Sequence, residues 1–187
     1  MGLDDTPGIS NTFATCGELP KYKLDRSDSI EIENGNRAYR AIAQRNFDGV
    51  TTPGQKGGYI ESERNLSQSG EAWVYDNAVV SGNAVVSGNA SVMDRAEVSG
   101  DALVSGSAQV SGMAVVTGHA EVTDHAVIDE NAHVSGNAKI FGYGNVSLDG
   151  RVSGNAEVGD TRIVIQQEVS GDTKLYGDVL HQLDYKP

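Results

Sequence analysis

The sequence predicts an all-β protein: a single-stranded parallel β-helix of triangular cross-section, about six to seven coils long, with a small N-terminal β-hairpin cap. Three observations lead there. From Asp76 to Ile165 the chain repeats every six residues, fifteen times without a gap, on the pattern Gly-Asn-Ala-x-Val-Ser. The fifth position is β-branched in every copy, from Val80, Val86 and Val92 through Ile128 and Ile140 to Val158 and Val164. A period of six is too short for a helical hairpin or a propeller blade, and it is one of the β-helix repeats. Aromatic residues make up only 6% of the chain. That is too few to fill an ordinary globular core, whereas a solenoid stacks small and β-branched residues in a narrow interior.

Each hexad reads as a strand followed by a corner. Alternate side chains of a strand point to opposite faces, so Ala at position three and Val at position five both face inward. Asn at position two is where the chain turns. It tolerates the left-handed conformation better than most residues, and the Gly before it eases the corner. Three units then close a coil of eighteen residues, with parallel strands about 4.8 Å apart.

The ends are less regular. Gly70-Glu71-Ala72-Trp73-Val74-Tyr75 keeps the register. Two earlier units place Ile60 and Leu66 at the Ala position and Ser62 and Gln68 at the Val position. At the far end Val169 to Val179 reads as two further units after a one-residue slip. An open end exposes unpaired strand edges and needs a cap. The alternating strand Ser29–Glu33, the Asn34-Gly35 turn and a returning strand Arg37–Ala43 supply one. Residues 1–19 read as a flexible arm and 20–57 as the hairpin cap and linker, with Gly49–Gly58 as the linker itself. The β-helix occupies 58–165, and 166–187 form a terminal coil and tail.

The net charge is −12, with the acids spread along the chain. This favours solubility and excludes nucleic acid or an anionic membrane surface as partners, since both need clustered cations. Cys16 is the only cysteine, so no internal disulfide is expected. No apolar run reaches the roughly 18 residues of a membrane span. Met1-Gly2-Leu3-Asp4-Asp5 carries no secretory signal. The expected location is the cytoplasm.

Residues eighteen apart become neighbours in a column, which tests each candidate for chemistry. His119 and His125 fall on different corners, and His133 lies between Val115 and Arg151. No two histidines stack, so neither a metal site nor a cofactor is expected. His119 stacks between Asp101 and Asn137, giving an Asp–His pair. No insertion interrupts residues 70–165, so the protruding loop used by acyltransferases on this scaffold is missing, and no catalytic residue is assigned. Flat Thr-x-Thr ladders for ice binding are also absent. Ser81, Ser99, Thr117, Ser135 and Ser153 form an outward hydroxyl column. Val79, Val115, Val85 and Leu103 face outward, which suggests subunit contacts. The pattern yields most at Phe141–Gly150, where Tyr143 takes a corner and Gly144 and Gly150 replace inner Ala. Such a break marks a bulge or a binding site. Trp73, Tyr75, Asp101, His119, Phe141 and Tyr143 are the candidate binding residues.

The stacked hexads resemble the left-handed β-helix of the hexapeptide-repeat proteins. The resemblance implies the left-handed crossover and a homotrimer with parallel axes. The stretch Gly57-Gly58-Tyr59-Ile60-Glu61-Ser62-Glu63-Arg64-Asn65-Leu66-Ser67, followed by the hexads, is similar to phage- and prophage-encoded bacterial β-helix proteins that carry this box before their repeats. It implies a phage or prophage origin, and it covers residues 20 to 165. The function expected is a non-enzymatic rigid scaffold or binding protein acting through subunit clefts or caps. Its rivals are a counter-defence protein that sequesters a host protein or small nucleotide signal, and a degenerate acyltransferase.

Overall fold

The structure is a computed structural model and describes residues 19–33, 35–47, 49, 51–159 and 164–176. The expected arm and the tail beyond Tyr176, with Cys16 and His181, lie outside the described residues. Two-residue strands recur at every hexad from Trp73–Val74 to Arg151–Val152. Each pairs in parallel with the strand eighteen residues on: Val80 with Val98, Val86 with Val104, Val92 with Val110. Three strands therefore complete one coil, and the chain is an all-β solenoid with three sheet faces. Along the coils, face I runs from Val79–Val80 to Glu168–Val169, face II from Val85–Val86 to Lys174–Tyr176, and face III from Trp73–Val74 to Val164–Ile165. Faces II and III hold six strands each, so there are about six coils.

The interior is the column of Ala and Val that the hexad requires. Ala84, Val86, Ala120, Val122, Ile140 and their equivalents are fully buried. Each β-branched side chain removed from water contributes roughly 1.5–3 kcal/mol. The backbone ladder is equally repetitive: Val85 N–H donates to Ala102 O at 2.9 Å, and Ser87 N–H to Val104 O at 3.0 Å.

The corners differ from expectation in one respect. The left-handed residue is position one, with φ of +65° at Gly82 and +73° at Gly118, and Asn at position two is not in that region. Where glycine is replaced, Asp76, Asp94, Asp124, Glu130 or Leu148 takes the left-handed conformation. The aspartates are accommodated because the N–H of position one has no partner in the ladder. Asp94 accepts the Gly112 N–H at 2.9 Å, and Asp124 accepts that of Gly142 at 3.0 Å. Position two stacks instead: Asn83 donates to Asp101 at 2.8 Å, Asn137 to Asn155 at 2.9 Å, and Asn155 to Asp172 at 2.8 Å.

Register shifts at both ends. Ile60 pairs with Val80 and Leu66 bridges to Val86, each twenty residues on. Both therefore stand in the Val column, not the Ala column, because two extra residues enter between Leu66 and Trp73. At the other end Val146 pairs with Ile165, so Ile165 takes the place expected for Val164. Val152 then pairs with Val169 and Val158 with Leu175, the one-residue slip foreseen for the terminal coil.

The hairpin consists of β1 (Tyr22–Glu31) and β2 (Arg37–Ala43), and β3 (Lys56–Ile60) follows it. β3 takes in Gly57 and Gly58, so these belong to the first coil and not to a linker. β2 runs antiparallel to β3, so the cap prolongs the sheet of face I beyond the coils. Tyr22 and Phe47 then fold onto Trp73, with ring centroids 6.1 and 5.0 Å away. Buried Lys21 donates from Nζ to Ala72 O at 2.8 Å. The solenoid thus begins beneath a packed lid of rings.

Candidate functional site

The six candidate residues fall in three separate places. Trp73 and Tyr75 belong to the capped end. Trp73 points out of face III yet is fully buried under Tyr22 and Phe47, so it offers no binding surface. Tyr75 is half-buried and packs against the core. Trp73 serves the cap.

The Gly-Gly-Tyr-Ile-Glu-Ser-Glu-x-Asn-Leu-Ser box serves it too. A Cβ on Gly57 would lie 2.6 Å from Trp73 Cζ2, and one on Gly58 would lie 2.5 Å from Val74 Cγ1. Tyr59 donates to Asp28 at 3.1 Å, and Arg40 lies over its ring at 3.8 Å. Asp28 also accepts from Lys56 Nζ at 3.1 Å, and that hydrogen bond holds its carboxyl below the usual carboxylate range. Glu61 accepts the corner N–H of Gly82 at 2.7 Å. Glu63–Asn65 form one turn of 3-10 helix, which lifts the main chain off face II. Asn65, fully buried, takes over with its side chain: Nδ2 donates to Gly82 O at 3.0 Å and to Ala84 O at 2.8 Å. Its Oδ1 accepts from Ser62 N–H at 2.8 Å. The carboxamide supplies the donors that a preceding coil supplies elsewhere.

Asp101 and His119 stand on the corner between faces I and II. Nδ1 of His119 lies 3.4 Å from Oδ2 of Asp101, with the two side chains 68% and 48% exposed. The pairing expected from the columns is present. It is open to water, and in geometry it continues the Asn83–Asp101 contact of the same column. A general base needs a held partner and a shielded proton path; this pair has the position of a stacking contact.

Phe141 and Tyr143 stand on the corner between faces II and III, and here the structure gathers more than the sequence showed. The strands on either side remain in register: Lys139 pairs with Glu157, Asn145 with Val127 and Arg151 with His133. Residues 141–150 are therefore a substitution within the repeat, not a bulge. The register changes later, between Val158 and Ile165. Tyr143 is 58% exposed and stacks on His125, one coil earlier, at 5.1 Å with planes 12° apart. Phe141 lies on Gly159, where a Cβ would come within 2.2 Å of the ring. Tyr176, 41% exposed, tilts against Phe141 at 5.7 Å. The Tyr176 hydroxyl bonds to Glu157, which accepts from Lys174 Nζ at 2.9 Å. These two bonds hold the Glu157 carboxyl below its ordinary range, the tyrosine contact being the larger cause. In the same face II column Lys139 donates to Glu121 at 3.0 Å.

Sequence reasoning missed Gly159, Glu157, Lys174 and Tyr176. The signal was available: after a one-residue slip Tyr176 falls in the column of Ser105, Thr123, Phe141 and Gly159.

The YdcK Beta solenoid repeat family matches this chain over residues 72–88 and 96–112. The chain is a repeat β-solenoid protein. No curated protein matches it. Both matched stretches lie in the regular coils, and neither reaches the box or the aromatic corner.

Proposed function

We propose that this β-solenoid is a rigid, non-enzymatic scaffold that binds a partner along its side, works as a homotrimer inside a bacterial cell and derives from a phage or prophage. One observation carries the scaffold reading: many of the polar side chains of the coils are spent on one another. Asn83, Asp101, Asn137, Asn155 and Asp172 link coil to coil, Asp94 and Asp124 close corner N–H groups, and Lys139 and Lys174 are tied to Glu121 and Glu157. Such a surface stiffens a rod. Each coil is locked to its neighbours, and stability accumulates along the stack.

The trimer rests on Val79 and Val115 of face I and on Val85 and Leu103 of face II. These outward residues flank one corner, where Gly82, Gly100, Gly118, Gly136 and Gly154 alternate with the stacked side chains of Asn83, Asp101 and His119. Half-buried Val85 and Leu103, adjacent on face II, and Val79 and Val115, on either side of Glu97 on face I, suit packing of parallel copies around an axis. The phage origin rests on the likeness of the Gly57–Ser67 box. Light scattering of the purified protein is expected to give about three times the 19.7 kDa chain mass. A monomer mass at micromolar concentration overturns the trimer.

Sequestration of a host protein is a second reading. Met113 and Leu148, 59% and 43% exposed, stand on the corner between faces III and I beside Asp94 and Glu130. Met113 stands between Arg95 and Asn131 in its own column, so exposed apolar side chains set among both signs of charge suit a protein partner of mixed charge. The aromatic corner suits a phosphate-bearing signal less well, because Lys139 and Lys174 are both paired with carboxylates.

A further inference from the structure

We infer that the corner between faces II and III is a platform for a neutral carbohydrate chain, with Phe141, Tyr143 and Tyr176 supplying ring faces and the Glu157–Lys174 pair supplying hydrogen bonds. This rests on the scaffold reading above and gives its side-binding surface a ligand class. In a chain with few aromatics, His125, Phe141, Tyr143 and Tyr176 meet on one edge, and the two tyrosines remain 58% and 41% exposed. An exposed ring stacked on another ring is a flat apolar surface with a polar tip. Gly142 and Gly159 lie between the rings and add no side chain above them.

The neighbouring charges narrow the ligand class. Lys139 faces Glu121, and Lys174 faces Glu157, so among the described residues the face II flank of the platform is charge-balanced, and Asp124 adds a carboxylate on the corner itself. A phosphate or sulfate group needs cations or backbone donors not already matched to carboxylates. A sugar ring needs something different. Its C–H face packs on an aromatic ring, and its hydroxyls both donate and accept, so one ammonium–carboxylate pair serves adjacent hydroxyls. The pair is already ordered by Tyr176, which lowers the entropy cost of binding.

Shape points the same way. The edge is a ridge, whereas amphipathic helices and proline-rich peptides seat in grooves. The backbone groups of faces II and III are engaged between coils, so strand addition along the side is closed. The rings span the coils from His125 to Tyr176, four levels spaced by about 4.8 Å. That length suits several sugar units laid along the axis.

The test uses the full-length protein on an array of neutral hexose and N-acetylhexosamine oligomers of defined linkage, with sulfated and phosphorylated oligomers as the anionic arm. Calorimetry follows on the strongest neutral oligomer. Tyr143→Asn and Phe141→Ser restore the hexad's own residues, and both variants are expected to keep the wild-type circular dichroism and oligomer mass. Each is expected to weaken binding about tenfold or more, and Glu157→Gln to weaken it as well. Binding to no neutral oligomer, binding only to the anionic arm, or equal binding by Tyr143→Asn and wild type would each overturn the carbohydrate assignment. Capture of a host protein by wild type but not by Tyr143→Asn also overturns it, while leaving side-binding by the scaffold intact. A monomer mass sinks the trimer without touching the platform.

Discussion

Replacement of Asn65 by Ala tests whether one carboxamide stands in for a missing coil. The substitution removes Nδ2 from Gly82 O and Ala84 O and Oδ1 from Ser62 N–H, leaving Ala84 O and Ser62 N–H without partners while Gly82 O keeps Arg64 Nη2 at 3.2 Å. Ser62 Oγ also loses its contact with Oδ1 but can turn elsewhere. At a net contribution of about 1 kcal/mol for each main-chain group left unmatched, the loss is about 2 kcal/mol. For a urea slope of about 2 kcal/mol/M, the midpoint falls by about 1 M. Trp73 is the only tryptophan and lies under the cap, so its fluorescence reports this end of the rod, while circular dichroism reports the coils. Because coils couple chiefly to their neighbours, the fluorescence transition is expected to move ahead of the dichroism transition. Hydrogen exchange is expected to quicken first at Ala84–Ser87. Asn137→Ala is the control: its side chain is exposed and donates only to Asn155, so its cost is about 0.5 kcal/mol or less. Equal midpoints for Asn65→Ala and Asn137→Ala would refute the claim that the carboxamide replaces the ladder.

Other outcomes follow from the same geometry. Gly58→Ala places a Cβ 2.5 Å from Val74 Cγ1 and 2.6 Å from Ala78 O, and overpacking of this kind costs about 1–3 kcal/mol in thermal unfolding; an unchanged melting temperature rejects the close approach. Burial pushes the Tyr22 phenol well above its ordinary range, with the Glu63 charge adding to it. Its folded value exceeds the unfolded one, so its contribution is whole below about pH 10 and fades above it. Tyr22→Phe should flatten that alkaline loss and, by removing the contacts to Glu63 O and Leu66 O, cost about 1 kcal/mol at neutral pH. Burial likewise raises the Asp129 carboxyl, whose Oδ1 has no partner among the described residues. The fold favours its protonated form, so the contribution of this one group is greatest below the unfolded value of about 3.9 and falls as pH rises through the folded one. Asp129→Ser, the hexad's own residue at that position, should therefore raise the melting temperature at pH 7, and a drop would count against the assignment.

The hexad alone determined that the chain coils in steps of eighteen, that Ala and Val fill the interior and that His119 meets Asp101. These follow from a period fixed by local alternation, because a strand turns every side chain in or out and three equal units close a coil. The same period misled wherever residues were inserted or dropped. Two extra residues after Leu66 moved Ile60 and Leu66 into the Val column, and the slip near Ile165 displaced Val164. Counting from the regular repeats cannot place an insertion within a turn; pairing with the next coil does. The left-handed corner was misplaced by one residue, because the choice between Gly82 and Asn83 depends on how closely the backbone of the next coil approaches. Only the tertiary structure showed that Asn65 supplies donors in place of a strand, that an outward Trp73 is hidden by the cap, and that Tyr176 comes to rest on Phe141. Each of these joins parts of the chain held together by stacking and capping, and no local pattern encodes that proximity.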